Sequence, residues 1–539
     1  MKSFALLPPA LLVVLGNHLA CSSNPADPGN PATGGVPASG GVSASGGVSA
    51  SGGTTALGGT TALGGAQTGG AVSSATGGTS GGSPTTQGGA STGGAVATTG
   101  GSAAQSGGAT ATGGKGNGGS ISTGGNSTGG APATGGAGTT GGSSASGGNG
   151  GSAGDMPLVY PTENTGADCP APPAPPAFTA LTAVPNLPDP FLKTSGTRIA
   201  SRDEWRCRRA EISAQMQYWE SGPKGAPPSN LSATYSAGKL TVVVTQGGAS
   251  ITLSSTITTP SGAGPFPLMI GMNTGTGSLP ASIFTSRGIA TMSFTSSQLV
   301  PDAFNVARGA GAYFTMYPDK NAGAMIEWAW GVSRIIDGLY KTADQNKIDL
   351  KHIGVTGCSY QGKMALYAGA FDERIALAIP QESGGGGEAS WRFMATQSGT
   401  EDLEAAQGTA WYAANLKQFK NADAPKLPID MHELVAMVAP RAILAIGNTG
   451  IDRLGSQAGS VAMKAAAEVY KALGIPDRIG FSQAAASGHC VFPSSQTADV
   501  EAFVDKFLLG KTSANTTIAK TPYTTNLSTW VTWTTPMLK

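Results

Sequence analysis

From Asp155 to the C-terminus the chain alternates between two hydrophobic rhythms. Apolar residues three and four apart mark helices, and short β-branched runs mark strands. Trp205, Ile212, Met216 and Trp219 stand at helical spacings and predict a helix over Arg202 to Trp219. Leu240 to Val244 and Ile251 to Thr258 flank Gln246-Gly247-Gly248 and predict a β-hairpin. Pro267 to Met272 and Gly288 to Phe294 read as short strands, and Ala324 to Leu339 as a helix. Ile353 to Thr356 reads as a strand, Gly362 to Gly369 as a helix start, and Ile375 to Pro380 as a buried strand. Ala442 to Gly447 is the last strand expected, and Val461 to Leu473 and Ala498 to Leu509 are the last helices. Trp530 and Trp533 predict that the tail packs on the domain. Such alternation predicts the α/β class, with a mostly parallel sheet sandwiched by helices on both faces.

Neither rhythm occurs before Asp155. From Ser22 to Gly154 the only charged residues are Asp27 and Lys115, and Phe, Tyr and Trp are absent. Such a stretch cannot bury enough apolar surface to offset the entropy of ordering it. Residues 21–155 therefore read as a long disordered Gly/Ser/Thr/Ala-rich linker and 156–539 as one domain. At its start, Lys2 and the apolar run Phe4 to Leu15 read as a signal peptide over 1–20, too short for a membrane span. Ala20-Cys21 resembles the end of a bacterial lipobox, although His18 stands where an aliphatic residue is usual. Export is expected, either to the cell surface with lipid attached at Cys21 or as a soluble secreted protein. Lipid at Cys21 would be the only membrane contact, and the linker would then be a flexible spacer. The alternative is a neutral low-complexity expansion. With 32 basic and 31 acidic residues and no basic stripe, a nucleic-acid partner is not expected.

The chemistry centres on Ser359. His352 to Lys363 reads as strand, tight turn and helix, with Gly357-Cys358-Ser359-Tyr360-Gln361-Gly362 at the turn. A serine held on such an elbow is exposed at a helix N-terminus, where free N–H groups favour developing negative charge. The spacing is one residue longer than G-x-S-x-G, and a serine before a helix can equally be a simple N-cap. Of the four histidines, His18 belongs to the leader, His352 precedes Ser359 on its own strand, and His432 stands at a helix start. His489, in a Gly-containing loop before the last helix, is the best-placed base. The order serine, acid, histidine is that of α/β-hydrolases.

Four cysteines remain after Cys21, and they allow three pairings. Cys358 directly precedes Ser359 and Cys490 directly follows His489. If the serine and histidine meet, those sulfurs are close, and a Cys358–Cys490 bridge leaves Cys169 to pair with Cys207. The alternative is four free thiols.

Several segments resemble the glucuronoyl esterases, carbohydrate esterase family 15. They are Gly357-Cys358-Ser359-x-x-Gly362-Lys363, Pro380-Gln381-Glu382-Ser383-Gly384, Leu427 to His432 with Ala439-Pro440-Arg441, and Gly488-His489-Cys490. Trp205 to Ile212 and Trp328 to Asp337 extend the likeness, which covers roughly Cys169 to Lys539. The resemblance implies an α/β-hydrolase that cleaves esters between 4-O-methyl-glucuronic acid of glucuronoxylan and lignin alcohols. It implies no cofactor and no metal, and a monomer is expected. It implies Ser359 as nucleophile, His489 as base and Glu382 as acid, with Asp452 as the alternative acid. It also implies a sugar contact for Lys363, the backbone of Tyr360 at the oxyanion, and disulfides beside the serine and histidine. Glu404 and Gln407 are further candidates for sugar contact.

Two positions depart from the family. Tyr360 stands where Arg normally follows the nucleophile, and Asp452-Arg453-Leu454-Gly455 stands where Asp-Trp-Leu-Gly is common. Arg453 is therefore a candidate relocated cation facing an acidic substrate group. Tyr360 keeps two alternatives open: an esterase of shifted specificity, and a weakly active carbohydrate-binding homologue.

Overall fold

The computed structural model describes residues 156–163, 166–301, 308–318 and 321–539. The leader 1–20, Cys21 and the linker 21–155 lie outside the described residues. The strands are β1 Asn230–Ser236, β2 Lys239–Gln246, β3 Ala249–Thr258, β4 Phe266–Met272, β5 Ala290–Phe294, β6 Ile348–Cys358, β7 Leu377–Gln381, β8 Ala442–Asn448, β9 Ile479–Ala484 and β10 Ala519–Lys520. They form one sheet in the order β1-β2-β3-β5-β4-β6-β7-β8-β9-β10. The pairs β1–β2, β2–β3 and β3–β5 are antiparallel. Every pairing from β5 through β10 is parallel.

The principal helices are α1 Arg202–Met216, α2 Ala324–Lys341, α3 Tyr360–Phe371, α4 Met431–Ala436, α5 Ser456–Ala472 and α6 Thr497–Phe507. The central strands are buried on both faces, and their alternation sorts side chains into two cores. Leu268, Ile270 and Met272 of β4 and Ile443 and Ala445 of β8 join the core that holds buried residues of α1 to α5. Met269, Leu377, Ile379, Leu444 and Ile446 point to the other side, against Val500, Phe503, Val504 and Phe507 of α6. Helices on both faces of a mostly parallel sheet match the expected architecture.

The element boundaries differ for local reasons. A capping box at Ser201 and Glu204 starts α1, which ends at Met216. Trp219 lies in the π-helical turn Gln217–Ser221 and stays buried, so the apolar spacing outruns the α-helix. β1 lies outside the expected elements although Leu231, Ala233 and Tyr235 alternate with polar residues, the pattern of a half-buried edge strand. β9 was not anticipated because its core-facing run mixes Gly480, Ser482 and Gln483 with apolar residues. Below the sheet, Arg209 pairs with Glu373 and donates to the Met437 carbonyl (2.6 Å), locking α1 against the ends of the strands.

Candidate active site

β6 ends at Cys358, and α3 begins at Tyr360. Ser359 between them has φ 63° and ψ −131°, a conformation rarely held by a non-glycine residue. The turn is braced on both sides. The Ser359 N–H donates to the Gln381 carbonyl (2.9 Å), and the Ser359 carbonyl accepts from Gly362 (2.8 Å) and Lys363 (3.1 Å). A Cβ on Gly357 would fall 2.4 Å from the Gln361 carbonyl oxygen, and one on Gly362 would fall 2.4 Å from that of Gln381. Those two glycines let the elbow close. The N–H groups of Tyr360 and Gln361 lie in the first turn of α3, where the helix supplies no acceptor.

Glu382 follows β7, is 4% exposed and has φ 48°. Its Oε2 accepts from His489 Nδ1 (2.8 Å) and from the Cys490 N–H (3.0 Å). With Nδ1 bonded to a carboxylate, Nε2 is the free position of the ring. It is shielded from solvent and has no hydrogen-bond partner among the described residues. Cys358 and Cys490 form a disulfide with Cα atoms 5.9 Å apart, which joins the serine elbow to the histidine loop. Cys169 and Cys207 form the second. Both expected pairings are thus present. The sulfurs of Cys358 and Cys490 lie within 4.8 Å of a Glu382 oxygen, but the disulfide removes both as thiolate ligands.

The other histidines are occupied elsewhere. His352 is bonded to Asp349 (2.7 Å), and buried His432 to the Pro188 carbonyl (2.8 Å). Burial pushes the His432 imidazole down to about 4, so it stays neutral. Asp452 is exposed on the short turn Asp452–Leu454, and the His489 Nδ1 is held by Glu382.

Around Ser359 the side chains form one packed wall. The Tyr360 ring stacks on Trp411 (centroids 5.8 Å, 14° between planes) and tilts against Trp328 (6.1 Å). Its hydroxyl accepts from Asn273 Nδ2 (3.3 Å). Lys363 is 2% exposed, with its Nζ 3.0 Å from Glu401 Oε2 and 5.4 Å from the Trp411 ring centroid. Sequence reasoning missed Asn273, Glu401 and Trp411. The segment from Gly399 to Trp411 was the only hint, and it pointed to Glu404 and Gln407. Those two bridge within their own loop: Glu404 accepts from the Asn421 N–H (3.1 Å) and lies 3.6 Å from Lys420, while Gln407 donates to the Leu416 (3.2 Å) and Phe419 carbonyls. Arg453 is exposed, and its carbonyl accepts from the Glu401 N–H (2.8 Å).

A serine on a strand-to-helix elbow, next to a histidine–carboxylate pair on a mostly parallel sheet, defines an α/β-hydrolase site. Comparison with known proteins narrows the class. The family described as glucuronyl esterase, fungi, matches residues 242–474. A 4-O-methyl-glucuronoyl methylesterase of Hypocrea jecorina is 41% identical over 359 residues, spanning 65% of this chain and 76% of that protein. One from Thermothelomyces thermophilus is 39% identical over 354 residues, spanning 64% and 87%. Among solved structures, the Hypocrea jecorina glucuronoyl esterase catalytic domain superposes with a TM-score of 0.63 at 40% identity, covering 68% of this chain and all of that one. A serine-to-alanine mutant of the Sporotrichum thermophile glucuronoyl esterase, solved in complex with methyl 4-O-methyl-β-D-glucopyranuronate, gives 0.63 at 36% identity and covers 67% and 97%. The chain belongs to the glucuronoyl esterase family.

Proposed function

We propose that this protein is a serine esterase that hydrolyses esters of 4-O-methyl-D-glucuronic acid, those joining glucuronoxylan to lignin alcohols. The observation that carries the reading is the His489–Glu382 bond of 2.8 Å, held to the Ser359 elbow by the Cys358–Cys490 disulfide. The names of the relatives and the uronate ester bound in the Sporotrichum thermophile structure support the substrate class.

In this mechanism His489 Nε2 takes the proton of Ser359, whose Oγ attacks the C6 carbonyl of the uronate ester. Glu382 keeps the proton on Nδ1 and stabilises the imidazolium. The backbone N–H of Tyr360 and the N-terminus of α3 receive the oxyanion. His489 then protonates the departing alcohol, the C–O bond breaks, and water repeats the sequence to free glucuronate and restore Ser359. In this reading Lys363, with its charge held by Glu401, donates to sugar hydroxyls, as the family resemblance implies. The mature protein is exported, with Cys21 as its lipid-attachment site and 21–155 as a spacer. The N-terminal pattern and the two disulfides support export.

Hydrolysis of benzyl D-glucuronate by the full chain, beside Ser359→Ala, tests the reading. Turnover that vanishes in the variant supports it. Equal rates in the two proteins, or no turnover by the folded wild type, overturn it. Tyr360, packed on Trp411 where the family has arginine, favours a second reading of shifted specificity. Relative rates on benzyl glucuronate, methyl glucuronate and an aryl acetate separate the two.

A further inference from the structure

Behind the loop that presents Glu382 lies a second carboxylate that the mechanism above does not use. Glu388 is 5% exposed, and its Oε2 is buried with no hydrogen-bond partner among the described residues. The loop is folded tightly around it. Gly387 and Ala389 both donate to the Gly384 carbonyl (2.9 and 3.1 Å), and the Glu388 N–H donates to Ser383 Oγ (3.2 Å). On the far side α5 presents a glycine: a Cβ on Gly459 would stand 3.3 Å from Glu388 Cγ and 3.6 Å from its Oε1. The helix therefore leaves a cradle in which this carboxyl just fits.

The charged groups that act on Glu388 are Glu382 of its own loop, which opposes its ionisation, and Lys363 of α3, which favours it. From β9 comes Gln483, a neutral amide bonded to the Ser456 carbonyl (2.6 Å). Lys363 already serves Glu401 at 3.0 Å. Glu388 thus has no cation of its own, and its charge is felt by the acid that orients the base. Burial pushes its carboxyl up to about 7, against the pull of backbone N–H groups and Lys363.

We propose that Glu388 is a positioning residue of the esterase: a buried carboxylate behind the acid loop whose negative charge, acting through Glu382, strengthens His489 as the general base. This rests on the assignment of Ser359, His489 and Glu382. When Glu388 is ionised, the site carries one more negative charge as the imidazolium forms. That charge lowers the barrier for proton removal from Ser359. When Glu388 is protonated, only Glu382 supports the imidazolium. The rate then gains a step as pH rises through neutrality.

The test is the pH profile of kcat on benzyl D-glucuronate for the wild type, Glu388→Gln and Glu388→Ser. Glutamine fills the cradle without charge, and serine empties it. The ratio of wild-type to variant kcat is expected to climb from near unity at acid pH to about 3–10-fold on the alkaline side, alike in both variants. A ratio that is constant with pH, or profiles that superimpose on the wild type, overturns the proposal and leaves Glu388 a packing residue. If only Glu388→Ser changes, the cradle volume matters and the charge does not, which also overturns it. Ser359→Ala run alongside separates the two assignments. Its silence upholds Ser359 as the nucleophile whatever Glu388 does, and its activity removes the basis of both.

Discussion

Replacing Glu382 by glutamine keeps the shape of the acid and removes its charge. One oxygen of Glu382 accepts both the Nδ1–H of His489 (2.8 Å) and the Cys490 N–H (3.0 Å), and an amide oxygen in the same place can accept both. The local fold is therefore retained, and the disulfide beside it is untouched. What is lost is the attraction between carboxylate and imidazolium in the transition state. For unit charges about 4 Å apart at an effective dielectric of about 20, that attraction is about 4 kcal/mol. At about 1.4 kcal/mol per decade this corresponds to roughly a thousandfold in rate. Glu382→Gln is expected to lower kcat on benzyl D-glucuronate by about that factor, with KM changed far less, because a sugar-binding role is not invoked for Glu382. Asp452→Asn, on an exposed turn, is expected to stay within about threefold, the range of a screened surface charge. A collapse of kcat in Asp452→Asn with Glu382→Gln within tenfold of wild type would refute the assignment and make Asp452 the acid.

Three other outcomes follow from the packing and the ionisations. Replacing Cys358 and Cys490 by alanine opens a loop with a separation of 132 residues, and should lower stability by about 5 kcal/mol in the chain-entropy model, read as a drop in the urea midpoint. Glu401→Gln leaves the nearly buried Lys363 ammonium without its carboxylate partner, so KM for glucuronate esters should rise several-fold while the rate on an aryl acetate changes little; equal effects on both substrates would mean that the pair is only structural. Glu327 is 1% exposed, and burial, partly offset by Arg308, raises its carboxyl to about 9. The folded chain thus keeps a proton that the unfolded chain sheds near pH 4.5, and stability falls as pH rises from there through about 9. Glu327→Gln should flatten that decline, so that its urea midpoint exceeds the wild type's increasingly between pH 5 and pH 9.

The parts of this protein legible in the sequence are those that repeat a local rule. Strands β4, β7 and β8 are legible because burial on both faces makes them largely apolar runs, and β5 because Ala290, Met292 and Phe294 alternate with polar residues. The elbow was visible because Gly357 and Gly362 must lack side chains for the turn to close. The Cys358–Cys490 link was legible through adjacency alone, since each cysteine neighbours a residue of the proposed triad. The missed features obey weaker local rules or none. β1 alternates Leu231, Ala233 and Tyr235 with polar residues, but the run is short and only half-buried at the sheet edge. Glu401 could not be told from Glu404 by type or spacing. Only the fold shows that Glu401 meets Lys363, while Glu404 turns to Asn421. Nothing in the sequence sets Trp411 apart, whereas in the fold its ring meets both Tyr360 and Lys363.

That last contact bears on how a tyrosine can stand beside the nucleophile. Tyr360 carries no charge, so it adds no long-range attraction to an oxyanion. Its ring is pinned on Trp411 and its hydroxyl on Asn273, which itself has φ 61° and accepts the Ser296 N–H (2.8 Å). The side chain is thus a brace that fixes the first turn of α3, and in the proposed mechanism the electrostatic work falls to the backbone N–H groups there. Fixed dipoles of this kind need no reorganisation as charge develops, and buried surroundings strengthen them. The same wall holds Lys363 against Glu401, so that cation already has a carboxylate partner. In the proposed reaction, Lys363 would then meet an uncharged ester without being an unpaired cation for the carboxylate that hydrolysis leaves behind.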